Sequence, residues 1–333
     1  AYIPKQQVRD GVVNLTLLLG MLGDVQVSGN KLYNAKTVSS VFDGMLGQPV
    51  TSTAIEEQLF LINDYPGIFV DGHFEPGYQV GDTRLNVTVK EESRYNGNVR
   101  LDNHGTEDTG LYRAYADFQL NNPLGLADKL QLSLLSAFQP SNTNYWQLQY
   151  QMKLFGPRTR LSLDASENQF VIDQSLGVDL QLHGVVNVNG VTGTYIHQRN
   201  RKSNSSFDLR YEDIGSDLQL GDVPDFDDAL DDKLKNISLA YRFDALQEEK
   251  KRYHQGQLKF TSGSFVTGAD AGQDEKYKIY SINYSLLDFW RIPFFNADTR
   301  LVYRVEAQYS GINLSGIMRF SLTGPTRARA YSP

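Results

Sequence analysis

Apolar and polar side chains alternate along most of this chain with a period of two residues, which is typical of β-strands. In the clearest example, Trp146, Leu148 and Tyr150 share one face, and glutamines stand between them on the other. Many of these stretches are longer than the strands of soluble sheets and match the ~9–11 residues of a tilted transmembrane strand. Eleven strands are predicted, near 97–103, 111–121, 128–138, 144–154, 158–168, 182–198, 205–214, 233–244, 254–265, 277–287 and 299–310.

Before residue 94 the pattern changes and predicts a small unit with the element order β-α-α-β-β. Its first strand is expected at Asp24 to Ser28, and a helical stretch follows at Ala35 to Leu46. Thr51 is the expected N-cap of a second helix, because it precedes an apolar stripe at helical spacing. The last two strands are expected at Ile68 to Glu75 and Thr83 to Glu91. This unit is α+β, whereas the rest of the chain is all β.

The connections between the later strands are expected to alternate in length. Asn121 to Ala127 and Arg199 to Asn204 are short, whereas Ile214 to Asp232 and Gly263 to Lys276 are long. Short turns at one end of a sheet and long loops at the other are the pattern of outer-membrane β-barrels. Single-chain bacterial barrels have an even number of strands, so further strands are expected beyond Pro333.

The composition agrees with strands that have one oily face and one wet face. Only 40% of the residues are hydrophobic, although the chain has 19 Tyr and 17 Phe, and the mean hydropathy is -0.41. A net charge of -7 offers no footprint for nucleic acid. The absence of Cys excludes thiolate metal sites and Cys nucleophiles. Ala1 is not an initiator Met, so the chain is expected to begin inside a longer product.

No motif in the sequence predicts catalysis, a cofactor or a metal site. The five His residues are scattered, and neither a nucleophile elbow nor a phosphate-binding glycine loop is present. Aspartates crowd the stretch 225–232, but their spacing does not fit an EF-hand. That stretch is interpreted as a solvated surface loop in contact with lipopolysaccharide, and the protein is not expected to be an enzyme.

Three stretches resemble the transporters of two-partner secretion, the TpsB family, which in turn resemble the insertases that assemble outer-membrane barrels. They are Ala1 to Asn30, Tyr95 to Lys129, and the run Gly324 to Tyr331. The resemblance implies that residues 1–23 are the tail of one periplasmic POTRA domain and that 24–93 form the next. Residues 94–333 would then hold strands 1 to 11 of a 16-stranded outer-membrane barrel and the start of its sixth surface loop.

The third stretch carries the family's pore-loop signature as Ala328, Arg329, Ala330 and Tyr331. In the family this loop folds back into the pore, and its arginine contacts acidic groups on the inner barrel wall. Ala328 stands where Val is usual and Ala330 where Gly is usual. Because Ala adopts a positive φ less readily than Gly, Ala330 disfavours the tight turn that the family has at the loop tip.

The POTRA unit offers a second candidate site for an extended client. Ile68, Phe69 and Val70 belong to a predicted edge strand, and Leu59 and Ile62 line a groove on the helix beside it. A client strand could add to that edge through backbone hydrogen bonds. The alternative is that these side chains pack the small core of the unit.

Together these expectations describe a monomeric outer-membrane transporter. Its POTRA domain would capture an unfolded, β-helical exoprotein in the periplasm, and its barrel, in contact with lipid and lipopolysaccharide, would secrete that partner. Alternatives are an insertase of the same superfamily, a passive porin, and a soluble all-β binding or glycan-active protein.

Overall fold

A computed structural model describes residues 19–105, 110–175, 179–220, 232–267, 276–292, 294, 297–312, 314 and 318. The chain divides into two compact units. The first comprises the residues up to Arg94 together with Leu124–Ala127, and the second comprises the rest.

From residue 19 onward, the N-terminal unit combines a three-stranded sheet with two α-helices. Its elements are β1 (Met21–Ser28), α1 (Ala35–Ser39), α2 (Ser52–Asn63), β2 (Ile68–Pro76) and β3 (Asp82–Glu92). The strand order is β1-β3-β2, with β3 parallel to β1 and antiparallel to β2. Strand β2 therefore lies at an edge of the sheet, as the sequence predicted.

The helices of this unit bury one face of the sheet. Val38, Phe42 and Ile62 are fully buried, as are Leu85 and Val87 of β3. Helix α2 begins where expected, since the Thr51 hydroxyl oxygen accepts a hydrogen bond from the N–H of Ala54 at 3.4 Å. Among the described residues, no helix is long and apolar enough to cross a membrane.

The first helical stretch is divided rather than continuous. Helix α1 ends at Ser39, and residues Ser40–Met45 continue as a 3₁₀ helix. The Ser40 hydroxyl donates to the carbonyl of Thr37 at 3.2 Å. Serine side chains compete for helical backbone groups in this way, and the tighter 3₁₀ geometry is common at helix ends.

In the residues that the structure describes, the second unit is an antiparallel sheet of eleven strands that follow one another in chain order. The mostly β expectation and the predicted number of strands are confirmed. The strands are β4 (Tyr95–Asp102), β5 (Tyr112–Asn121), β6 (Lys129–Phe138), β7 (Thr143–Lys153), β8 (Thr159–Ser175), β9 (Asp179–Arg199), β10 (Ser203–Leu220), β11 (Asp232–Gln247), β12 (Arg252–Thr267), β13 (Lys276–Ile292) and β14 (Ala297–Ser310).

Several strands run further than the sequence predicts, so two of the expected long connections begin later in the chain. Strand β10 continues past Gly215 to Leu220, and β12 continues past Gly263 to Thr267. The sequence predicts that these loops begin at Ile214 and at Gly263. Gly263 instead lies inside the strand, where a glycine is needed because the side chains of its neighbours occupy the space that a Cβ would fill.

Candidate functional site

The two faces of the eleven-stranded sheet differ in chemistry. We call the face with Asp164, Arg210 and Glu212 the polar face, and the face with Leu209, Leu239 and Tyr280 the apolar face. Adjacent residues such as Leu209 and Arg210 point to opposite sides because side chains alternate along a strand. The division predicted from the period of two is therefore present in the structure.

A forked ion pair crosses one whole strand on the polar face. The guanidinium of Arg210 on β10 donates to both carboxylate oxygens of Asp164 on β8, at 2.7 and 2.8 Å. Its Nε donates to Glu212 at 2.8 Å, and its Nη1 also donates to the hydroxyl of Thr192 at 3.0 Å. The side chain of Asp164 is only 6% exposed and that of Arg210 is 25% exposed. This two-point geometry fixes the relative position of the three strands.

Gly190 on β9 makes this ion pair possible. In the strand register it lies between Asp164 and Glu212. A Cβ at position 190 would come within 2.4 Å of Nη2 and 2.6 Å of Cζ of Arg210. The guanidinium therefore rests directly over the Gly190 backbone, where any other residue would displace it.

A second glycine on the polar face has the same role three strands further along the sheet. A Cβ at Gly263 on β12 would come within 2.1 Å of Asn236 Oδ1 and 2.3 Å of Tyr277 Cζ. Tyr277 on β13 reaches over β12 and donates its hydroxyl hydrogen to the side-chain oxygen of Asn236 on β11. Asn236 in turn donates to Glu212 at 3.2 Å. The contacts form one polar network from β8 to β13.

Residues that follow β14 pack against one end of the polar face. Leu314 joins a buried apolar cluster that includes Leu234 and Tyr277, and Ile312 and Met318 pack against it. The side-chain amide of Gln308 donates to the carbonyl of Met318 at 3.0 Å. The chain therefore turns back over the polar face soon after the last strand.

The apolar face exposes its large side chains in rows across neighbouring strands. Leu209, Leu239, Phe260, Tyr280 and Tyr309 lie opposite one another in register. Leu209 is 58% exposed and Tyr309 is 67% exposed. The rings of Phe260 and Tyr280 are 5.2 Å apart. An exposed apolar surface that extends over several strands indicates contact with a membrane or a partner.

The structure places the predicted client-binding residues of the N-terminal unit in different environments. Ile62, Ile68 and Val70 are buried in the core, whereas Phe69 is 51% exposed. Leu59 packs over Gly72 of β2, since a Cβ there would lie 3.1 Å from its Cδ1. The side chains of the three buried residues are therefore not available to a client. A client could still contact the backbone of the edge strand and the side chain of Phe69.

Sequence reasoning did not identify Asn63, the last residue of α2. Its side chain forms hydrogen bonds with the backbone of this edge strand. Its Oδ1 accepts a hydrogen bond from the N–H of Val70 at 2.7 Å. Its Nδ2 donates to the carbonyl of the same residue at 3.2 Å. One side chain thus satisfies both edge-facing groups of Val70. The position of an Asn shortly before a strand was a signal, but only the fold shows its partner.

The sequence also matches a known protein family over most of the second unit. The family model described as haemolysin secretion/activation protein ShlB/FhaC/HecB matches residues 81–332. The chain belongs to this family. The resemblance to the TpsB transporters is thereby confirmed.

Several transporters in this family are similar to the chain over part of their length. The heme/hemopexin transporter protein HuxB of Haemophilus influenzae is 29% identical over 168 residues, which are 50% of this chain and 30% of that protein. The outer membrane transporter CdiB of Escherichia coli is 32% identical over 128 residues, 38% of this chain and 22% of that protein. The hemolysin transporter protein HpmB of Proteus mirabilis is 22% identical over 311 residues, 87% of this chain and 53% of that protein.

Solved structures of CdiB share the fold. CdiB from Escherichia coli matches with a TM-score of 0.78 and 21% identity, and covers 99% of this chain and 61% of that chain. CdiB from Acinetobacter baumannii matches with a TM-score of 0.76 and 17% identity, and covers 99% of this chain and 60% of that one. The chain thus spans less than two thirds of the relatives that it matches. These family members are transporters rather than enzymes, in agreement with the sequence.

The family's pore-loop signature cannot be placed. Ala328, Arg329, Ala330 and Tyr331 lie outside the described residues. The same holds for residues 221–231, which include most of the predicted aspartate-rich loop. Within the described ranges, no group of three or more His, Asp or Glu side chains is arranged to hold a metal ion.

Proposed function

We propose that this chain is part of an outer-membrane transporter that secretes an unfolded exoprotein through a pore lined by the polar face of the sheet. The observation that carries this proposal is the pairing of an exposed apolar face with a polar face whose charged groups are buried in hydrogen bonds, in a member of the ShlB/FhaC/HecB family. Barrel strands in a membrane alternate in this way between lipid and water.

The apolar face would lie against lipid. Tyr280 and Tyr309 together with Leu209 and Leu239 provide the aromatic and aliphatic surface that a bilayer solvates. Loops at the outer end would contact lipopolysaccharide, and the transporter would act as a monomer. The polar face would line the lumen, where Asp164 and Arg210 would brace the wall without obstructing an extended chain.

The N-terminal unit would be a POTRA domain in the periplasm, spanning residues 24–93. It would capture its client as an extended strand that adds to the edge of β2, which among the described strands pairs with β3 alone. Backbone hydrogen bonds of this kind do not depend on client sequence, so they suit an unfolded partner. Phe69, which is half exposed, borders a surface concavity of about 660 Å³ that would take client side chains.

No nucleotide is needed in this scheme, because folding of the client outside the cell would drive its passage. The test is to express the complete protein with the large exoprotein encoded beside it. We expect the transporter in the outer-membrane fraction and the exoprotein in the medium. A transporter recovered in the soluble fraction, or an exoprotein retained although the barrel is inserted, would refute the proposal.

The pore-loop signature gives a sharper version of this test. Arg329→Ala in the complete protein should impair secretion and leave insertion intact, because the guanidinium would lose its bidentate partner on the barrel wall. Arg327→Ala, two residues away, is the matched control and should secrete normally. Normal secretion by the Arg329 variant would show that the signature has no role in transport.

A further inference from the structure

The edge of β2 presents its unpaired backbone groups in a row of alternate residues. In an antiparallel pair, every second residue directs both backbone groups to the partner strand, and the residues between direct theirs outward. Val70 is an outward residue, because its N–H and carbonyl are bound by Asn63 rather than by β3. Gly72, Phe74 and Pro76 follow at the same spacing.

Two further observations support this assignment. The N–H of Gly72 is bound by the side chain of Asp71, at 2.8 Å, instead of by β3. Pro76 has no N–H, and prolines in strands stand where that group would face away from the sheet. Within the described part of the chain, no hydrogen bond reaches the outward groups of Phe74, so this part of the edge is open.

Asn63 interrupts this row in the manner of a short neighbouring strand. Its amide supplies one acceptor and one donor to a single residue, which is the pattern that a strand presents to an edge. An extended peptide can pair with Phe74 and, once the Asp71 side chain releases the Gly72 N–H, with Gly72. It cannot continue past Val70 while the Asn63 side chain is in place.

We propose that Asn63 is the guard of the client-binding edge: an extended polypeptide pairs along the whole of β2 only by displacing the Asn63 amide from Val70. This inference rests on the proposed function, since it specifies how the N-terminal unit takes up an unfolded client. The client first pairs with the open half of β2 and then replaces both Asn63 hydrogen bonds. Guarded edges of this kind resist indiscriminate strand pairing.

Asn63 lowers the affinity of β2 for an extended peptide, because its two hydrogen bonds with Val70 must break before the peptide can form two in their place. Removing the amide spares the client that exchange, and the two bonds together correspond to about a tenfold change in the dissociation constant. Asn63→Ala removes both bonds. Asn63→Asp keeps an acceptor for the Val70 N–H but no donor for its carbonyl, so its affinity should lie between those of the wild type and the Ala variant.

The experiment uses the full chain in detergent and a synthetic peptide of ten alternating Val and Thr residues with Lys at each end. The matched control peptide carries an N-methyl group at every residue, which removes the backbone donors of both its edges. Glu56→Ala, an exposed change on the same helix, controls for general effects on α2. Hydrogen exchange of the segment around Val70 reports directly whether its amide is bound.

We expect faster exchange at Val70 in the Asn63→Ala variant, about tenfold tighter binding of the peptide, renewed protection on binding, and no binding of the N-methylated control. Equal affinity for wild type and variant, with the Val70 amide freed, would overturn the guard and leave strand addition itself standing. If neither protein binds the peptide at β2, capture by strand addition fails, and the guard fails with it.

Discussion

The ion pair between Arg210 and Asp164 leads to a prediction about a residue that carries no charge. Gly190→Ala should destabilise the sheet, because the new Cβ would come within 2.4 Å of the Arg210 guanidinium. That guanidinium is held at both ends, by Asp164 and by Glu212. It cannot move away from position 190 without breaking the fork.

The magnitude follows from the burial of the partners. Removing one member of a fully buried pair costs about 3–5 kcal/mol, and breaking an exposed pair costs about 0–1. Asp164 is nearly buried and Arg210 is a quarter exposed, so Arg210→Ala should cost about 2–3 kcal/mol. Gly190→Ala should cost about 0.5–1 kcal/mol less than that, since Ala suits a strand better than Gly.

The assay is urea unfolding of the protein refolded into lipid vesicles, with a double-mutant cycle between positions 190 and 210. In the Arg210→Ala background the clash is gone, so Gly190→Ala should be neutral or slightly stabilising. Gly193→Ala on the same strand is the control, because its added Cβ would meet nothing within 4 Å. If the costs of the 190 and 210 variants simply add, or if Gly190→Ala behaves like Gly193→Ala, the reasoning is wrong.

Three further predictions concern other parts of the chain. Glu92→Ala should destabilise the N-terminal unit by about 2 kcal/mol, measured as faster proteolysis. The reason is that the Glu92 carboxylate accepts hydrogen bonds from the N–H groups of Lys31, Leu32 and Tyr33 at 2.6, 2.6 and 3.1 Å. An unchanged rate of cleavage would contradict this prediction. Gly263→Ala should lower the urea midpoint of unfolding, because the added Cβ would break the contact between Asn236 and Tyr277. Gly215→Ala is the control and should leave the midpoint unchanged, since the space around that residue is open. Equal midpoints for the two variants would show that Asn236 and Tyr277 do not need a glycine at position 263. Leu239→Arg on the apolar face should lower the free energy of unfolding in lipid by about 2–4 kcal/mol for a site near the bilayer centre. Ser281→Arg on the polar face should lower it by less. The reverse order in the same assay would mean that the polar face, and not the apolar face, lies against lipid.

The number of strands and the division between faces could be predicted from the sequence because both depend on local alternation. Residues 145–154 alternate so regularly that the predicted bounds of strand β7, 144–154, differ by one residue at each end from the observed Thr143–Lys153. Element order in the N-terminal unit was equally accessible, since Thr51 is a strong N-cap and the apolar spacing changes at the turns.

Contacts between distant residues could not be predicted in this way. The local sequence around Gly263 predicts a turn. Only the neighbouring strands show that the side chains of Asn236 and Tyr277 need the space beside this glycine. The role of Asn63 depends on the fold bringing the end of α2 beside Val70. Leu59 and Ile62 illustrate the same limit, because a helical stripe does not reveal which of its residues remain accessible.

The two units of the chain follow opposite rules of burial, and this explains its composition. In the N-terminal unit the side chains with no exposure are apolar, such as Leu22 and Phe42. In the large sheet, apart from the cluster around Leu234, the most buried side chains include Asn236, Ser238 and Asp208, while leucines and tyrosines are exposed. Burial of polar groups is tolerated only when they are hydrogen-bonded, so stability of this sheet depends on networks such as that of Arg210. A mean hydropathy of -0.41 is therefore compatible with a sheet whose apolar side chains serve as its outer surface in lipid.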